Sequence, residues 1–335
     1  MERKNAWAAY AGDDGRVEAF AKAYCDFINN GKTERECVAY GEKLAKAHGF
    51  EDLNAAVRSG RKLEAGARVY ANWMGKSFML FVLGEKPLEE GMNILGAHID
   101  SPRIDVKQNP LYEDTDLAYL DTHYYGGIKK YQWVAIPLAL HGVIVRKTGE
   151  KVIINIGEDE NDPVFCISDL LVHLAQEQMT KNAKEVVEGE ALNLIVGGRP
   201  LEGEEKDAVK ANVLKLLADK YGVEEEDFLS AELEIVPAGK ARDMGFDRSM
   251  ILAYGHDDRV CAYPSMMAVL DYEGTPEYTL CCIVTDKEEI GSVGATGMAS
   301  HYLENTVAEL YACTADYCEL AVRRCLRNSR MLSSD

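Results

Sequence analysis

Two short apolar runs, far apart in the chain, each end in a cluster of side chains able to bind metal. Met92–Gly96 leads into Ala97-His98-Ile99-Asp100, and Leu280-Cys281-Cys282-Ile283-Val284 leads into Asp286-Lys287-Glu288-Glu289-Ile290-Gly291. Apolar runs of this length, bounded by glycine or polar residues, read as buried strands. Open α/β sheets gather their ligands at the carboxyl ends of strands, where loops can be shaped without disturbing the core. A third cluster, Gly255-His256-Asp257-Asp258-Arg259-Val260, opens a candidate helix over 259–270. For these segments to meet, the two ends of the chain must form one α/β domain, residues 1–103 with 251–335. The β-rich residues 104–250 are then an insertion.

The remaining pattern fits that division. Val17, Phe20, Ala21, Tyr24, Phe27 and Ile28 recur at helical spacing up to Asn30-Gly31, and Thr33 with Glu36 predicts a capping box for a second helix. Residues 68–73 and 77–83 predict a hairpin about Gly75-Lys76. In the insertion, 133–145, 152–156 and 232–237 read as strands, and 167–176 and 207–221 as helices. After it, 278–285 and 307–312 read as strands and 293–303 as a helix. The charge-rich stretches 158–162 and 202–206 read as solvated loops.

Composition excludes several roles. A net charge of -19 argues against nucleic acid, which requires clustered Lys and Arg, and against an anionic membrane surface. Nine cysteines without a Cys-x-x-Cys pair read as free thiols in a reducing compartment, neither a disulfide framework nor a zinc knuckle. The first residues, Met-Glu-Arg-Lys-Asn-Ala-Trp, lack the apolar core of a signal peptide, and no apolar run has membrane-spanning length. These features point to a soluble cytoplasmic protein.

Each cluster has an ordinary reading beside its chemical one. His98 can bind zinc while Asp100 orients its ring, or the two can form a simple hydrogen-bonding pair. Asp257 can bridge two metals, with Asp258 and Arg259 as supports, or the two aspartates can cap the helix. Glu288 and Glu289 can divide into a general base and a metal ligand, or merely form a turn after a strand.

Taken in order, however, Ala97-His98-Ile99-Asp100-Ser101-Pro102, Tyr125-Gly126-Gly127, Asp286-Lys287-Glu288-Glu289-Ile290-Gly291-Ser292 and Ser333-Ser334-Asp335 resemble the signatures of the M18, aspartyl aminopeptidase-like, metallopeptidases. The resemblance spans the chain and implies a mixed-sheet α/β peptidase domain with a β-rich inserted dimerisation domain. It implies two Zn2+ ions, with Co2+ or Mn2+ as substitutes. His98, Asp257, Glu289 and Asp335 would be metal ligands, Asp257 bridging. Glu288 would be the general base, and Asp100 would orient His98. His173 would be offered by the insertion to a neighbouring substrate pocket, although a packing or surface histidine reads equally well. Peptide substrates, with N-terminal Asp or Glu as the family preference, and homo-oligomers from dimers to a dodecamer are also implied. The family supplies a last histidine ligand from a longer C-terminal part. No histidine follows His301 here, so the expectation is a chain lacking that part, with an incomplete second metal site and doubtful activity of its own. Competing functions are a metal-dependent amidohydrolase or deacylase on the same scaffold, a non-catalytic assembly protein, and a two-carboxylate glycosidase.

Overall fold

The computed structural model describes residues 5–335. Of the N-terminal residues read for a leader, Met1–Lys4 lie outside the described residues. The chain forms two compact units. One combines the residues up to Ser101 with Ala241–Asp335, and the other is Pro102–Lys240. Residues 241–250, placed in the insertion by the sequence pattern, group with the first unit.

The first unit begins with α1 (Ala6–Ala9), α2 (Asp14–Asn29) and α3 (Glu34–Ala47). The capping box is present: Thr33 Oγ1 accepts from the Glu36 N–H, and the Glu36 carboxylate accepts from the Thr33 N–H. There follow β1 (Glu51–Asp52), α4 (Leu53–Ser59), the hairpin β2 (Arg68–Trp73) and β3 (Ser77–Val82), then β4 (Met92–His98). Three residues, Met74, Gly75 and Lys76, join the paired Trp73 and Ser77; Met74 and Gly75 both have positive φ, +56° and +70°, at the centre of a turn closed by the Lys76 N–H donating to the Trp73 carbonyl at 3.0 Å.

The second unit is an antiparallel sheet of β5 (Arg103–Asp114), β6 (Leu117–Tyr125), β7 (Leu138–Val145), β8 (Lys151–Ile156), β9 (Leu194–Gly197) and β10 (Glu232–Pro237), with α5 (Ala208–Tyr221) between β9 and β10. Its strand order is β8-β7-β10-β5-β6-β9. The helix expected over 167–176 is absent; the segment runs through turns. Leu170, Leu171, Val172 and Leu174 are all exposed, so a helix here would have no packed face to stabilise it.

The chain then returns through a hairpin, β11 (Arg242–Met244) and β12 (Met250–Leu252), to α6 (His256–Leu270), β13 (Thr279–Thr285), α7 (Tyr302–Thr314), α8 (Glu319–Asn328) and β14 (Arg330–Ser333). Two expectations fail here. Residues 307–312 belong to helix α7, whose buried Tyr302, Thr306, Val307, Leu310 and Tyr311 follow a three-to-four spacing that reads as a strand only when the window is short. Residues 293–301 are irregular: Gly294 has φ +87°, and a side chain at Gly297 would collide with the Ser292 carbonyl.

The sheet of this unit runs β1-β2-β3-β13-β4-β14 and is mixed. β13 pairs antiparallel with β3 and parallel with β4, while β14 lies parallel on the other side of β4. Strands buried on both faces need continuous apolar sequence. Their alternate side chains enter two cores: Met79, Phe81, Cys281 and Ile283 meet Leu310 and Val322 on one face, while Phe78, Leu80, Cys282 and Val284 meet Phe27, Val38 and Met266 on the other. Each fully buried aliphatic or aromatic side chain contributes about 1.5–3 kcal/mol. Cys37, Cys281, Cys282, Cys313 and Cys325 are buried free thiols. Among the described residues no helix is long and apolar enough to cross a membrane.

Candidate metal centre

Because β4 and β13 are parallel, their carboxyl ends open at the same edge of the sheet. The ladder pairs Thr285 with His98, and the Ile99 N–H donates to the Thr285 carbonyl at 2.9 Å. His98 is 3% exposed. Its Nδ1 lies 3.0 Å from the Asp100 carbonyl and 3.3 Å from the Asp100 carboxylate. That leaves Nε2 facing Asp257 Oδ1 at 3.4 Å and Glu288 Oε2 at 3.8 Å. Asp100, fully buried, also accepts the backbone N–H groups of Glu288 and Glu289, each at 3.1 Å. One carboxylate thus touches the imidazole and holds the glutamate loop.

At the start of α6, Gly255 has φ +83°, and a Cβ there would overlap Arg259 Nη1. Asp257 and Asp258 have non-helical backbone angles, and no side-chain hydrogen bond caps the helix, so the capping reading is not realised. Asp258 instead accepts the His98 N–H at 3.4 Å. Ser101 Oγ donates to the Asp257 carbonyl at 2.6 Å. Buried Arg259 donates to the carbonyls of Ile99 at 3.1 Å and Lys32 at 3.0 Å, tying the end of β4 to the entry of α3. Ser101 belongs to the sequence signature that begins at Ala97, whereas Lys32 takes part through its backbone carbonyl, which leaves no signal in a sequence.

Ligand-type atoms of His98, Asp257 and Glu289 all lie within 4.8 Å of one another, and so do those of His98, Glu288 and Asp335. Asp335 arrives because β14 runs parallel to β4, pairing Ser333 with Gly96. A cleft of about 220 Å³ adjoins them, lined by His98, Glu288, Ser292, Met298 and Asp335 among others. The charges are unbalanced. Burial opposes a charged His98, but the hydrogen bond and charge of Asp100 outweigh it and raise its pKa to about 9. Burial, then the charge of Asp257, pushes Glu289 up to about 7. One imidazole among crowded carboxylates is a donor set suited to zinc, cobalt or manganese. Of the predicted site residues, the structure brings together His98, Asp100, Asp257, Glu288, Glu289 and Asp335. His173 lies in the other unit, exposed in a turn.

The sequence profile described as aminopeptidase I zinc metalloprotease (M18) matches residues 27–335. The chain belongs to the M18 family. Among M18 relatives, the probable M18 family aminopeptidase 1 of Clostridium acetobutylicum is 56% identical over all of this chain and 72% of its own length. Two solved M18 structures superpose over the whole chain. The Thermotoga maritima aminopeptidase does so with TM-score 0.93 at 43% identity, and aminopeptidase I of Clostridium acetobutylicum with TM-score 0.89 at 53%. The chain covers 72% and 73% of those two structures. Membership makes this protein an α/β metallo-aminopeptidase, a hydrolase of peptides.

Proposed function

We propose that this M18 aminopeptidase uses two zinc ions held by His98, Asp257, Glu289 and Asp335, with Asp257 shared between them and Glu288 as general base. The observation that carries this reading is the convergence of carboxylates from three distant segments on one imidazole. Zinc bound there supplies Lewis acidity and a water that ionises near neutral pH. Asp100 holds His98 by Nδ1, so that Nε2 faces the other donors. Glu288 takes the proton of the attacking water and returns it to the leaving amine, a role worth about 10²–10⁴ in rate. Surplus carboxylate at the site suits the ammonium of a peptide N-terminus. Peptides with N-terminal Asp or Glu are the first substrates to compare, and Co2+ and Mn2+ the first replacement metals.

Assembly belongs to the same proposal. Leu171, Val172 and Leu174, each at least 65% exposed around His173, form an apolar strip suited to contact with a second copy, to which His173 is then presented. A Saccharomyces cerevisiae protein of the same fold, 21% identical, is described as a dodecamer. Dimers and higher homo-oligomers acting on short peptides in the cytoplasm are the expected state. The test is Glu288→Gln in the full-length protein, with N-terminal nitroanilides and zinc analysis. Zinc content is retained and turnover falls by about two to four orders of magnitude; normal turnover removes Glu288 from the mechanism, and activity that survives chelation removes the metal.

A further inference from the structure

The loop that carries Glu288 and Glu289 leaves β13 at Asp286 and returns through Thr296. The turn between β2 and β3 grips both of its ends. Ser77 Oγ accepts from the Asp286 N–H at 3.2 Å and donates to the Thr296 carbonyl at 2.6 Å. Thr296 Oγ1 donates to Asp286 Oδ2 at 2.6 Å, closing the loop on itself. Trp73 Nε1 donates to the Ala295 carbonyl at 2.8 Å while its ring stacks on Tyr302. The Lys76 ammonium lies 2.7 Å from Glu34 Oε1 and 3.7 Å from Asp286 Oδ2. Both carboxylates are fully buried, and Lys76 is 6% exposed.

Packing alone does not require this chemistry. Apolar side chains of similar volume hold a hairpin against a loop as well as a buried ion pair does, because desolvation offsets most of the Coulombic gain. Ion pairs and hydroxyl bonds add direction. They fix Asp286, two residues before Glu288, while Asp100 fixes the N–H groups of Glu288 and Glu289 from the opposite side. The loop is therefore held at its neck by the hairpin turn and at its tip by the carboxylate that also contacts His98.

We propose that Lys76, Ser77 and Thr296 are positioning residues that set the Glu288–Glu289 loop against His98. The proposal rests on the reading of that loop as part of the metallopeptidase site. Thr296→Val keeps the side-chain shape and removes the hydroxyl that Asp286 requires. In the metal-free protein, amide hydrogen exchange across 287–295 rises by about tenfold to a hundredfold, the effect of losing one hydrogen bond to a charged group. Exchange in β3 and β13 stays unchanged. With Co2+ bound, the visible absorption bands shift, because one ligand-bearing loop has moved. Thr296→Ser restores both readouts, and Lys76→Met moves them the same way and further. Unchanged loop exchange in Thr296→Val, or a uniform rise across the whole chain, overturns the positioning role. A wild-type protein with no cobalt bands refutes the metal reading instead, and the exchange measurement still decides the role of the hairpin.

Discussion

Replacing Asp100 with Asn tests how far one carboxylate holds the centre together. The raised pKa of His98, from an ordinary 6.5 to about 9, corresponds to about 3 kcal/mol of preference for the charged imidazole in the folded state. A group whose pKa rises on folding contributes stability that is complete below its unfolded value and lost as the pH climbs through its folded value. The metal-free wild-type protein therefore loses up to about 3 kcal/mol from this pair between pH 6.5 and 9. Asp100→Asn removes the negative charge and leaves one of the two glutamate N–H groups facing an amide nitrogen. At pH 6.5 the variant should be less stable by about 3–5 kcal/mol, the range for breaking a buried pair from one side. Near pH 9 the gap narrows to the hydrogen-bond term, about 1–3 kcal/mol. Urea unfolding of chelator-treated protein at both pH values measures the difference, and using the difference cancels other titrating groups. A gap independent of pH refutes the argument that Asp100 charges His98.

Gly255→Ala forces a side chain onto Arg259 at a φ of +83°, and should cost about 2 kcal/mol or more in thermal unfolding together with weaker zinc binding. Zinc uptake at pH 7 should release protons, because His98 and part of Glu289 are protonated in the metal-free site; calorimetry in two buffers of different ionisation enthalpy reads the number. Of the nine thiols, exposed Cys318 should react first with a thiol reagent, while Cys281 and Cys282, whose pKa values burial holds high, stay inert until the protein unfolds.

Much of the first unit is legible in the sequence because its central strands are covered on both faces and so write their burial as unbroken apolar runs. The capping box of Thr33 is equally local and is recovered, as is the hairpin about Gly75-Lys76, although its turn also takes in Met74. What needs the third dimension is lost. Val307 and Leu310 look like strand residues until α7 is seen to lay one face on the sheet. Leu170–Leu174 look like a buried helix face although nothing within the unit covers them. The residue types of the centre could be picked out by their chemistry, whereas Lys76, in a glycine turn, reads as an ordinary solvated lysine. Its partners lie 42 residues earlier, at Glu34, and 210 later, at Asp286.

The parallel ladder from Thr279–Met92 to Thr285–His98 sets the registration of His98 against the glutamate loop. A slip of one residue in that docking would turn the imidazole to the opposite face of the sheet, out of reach of the carboxylates that now surround it.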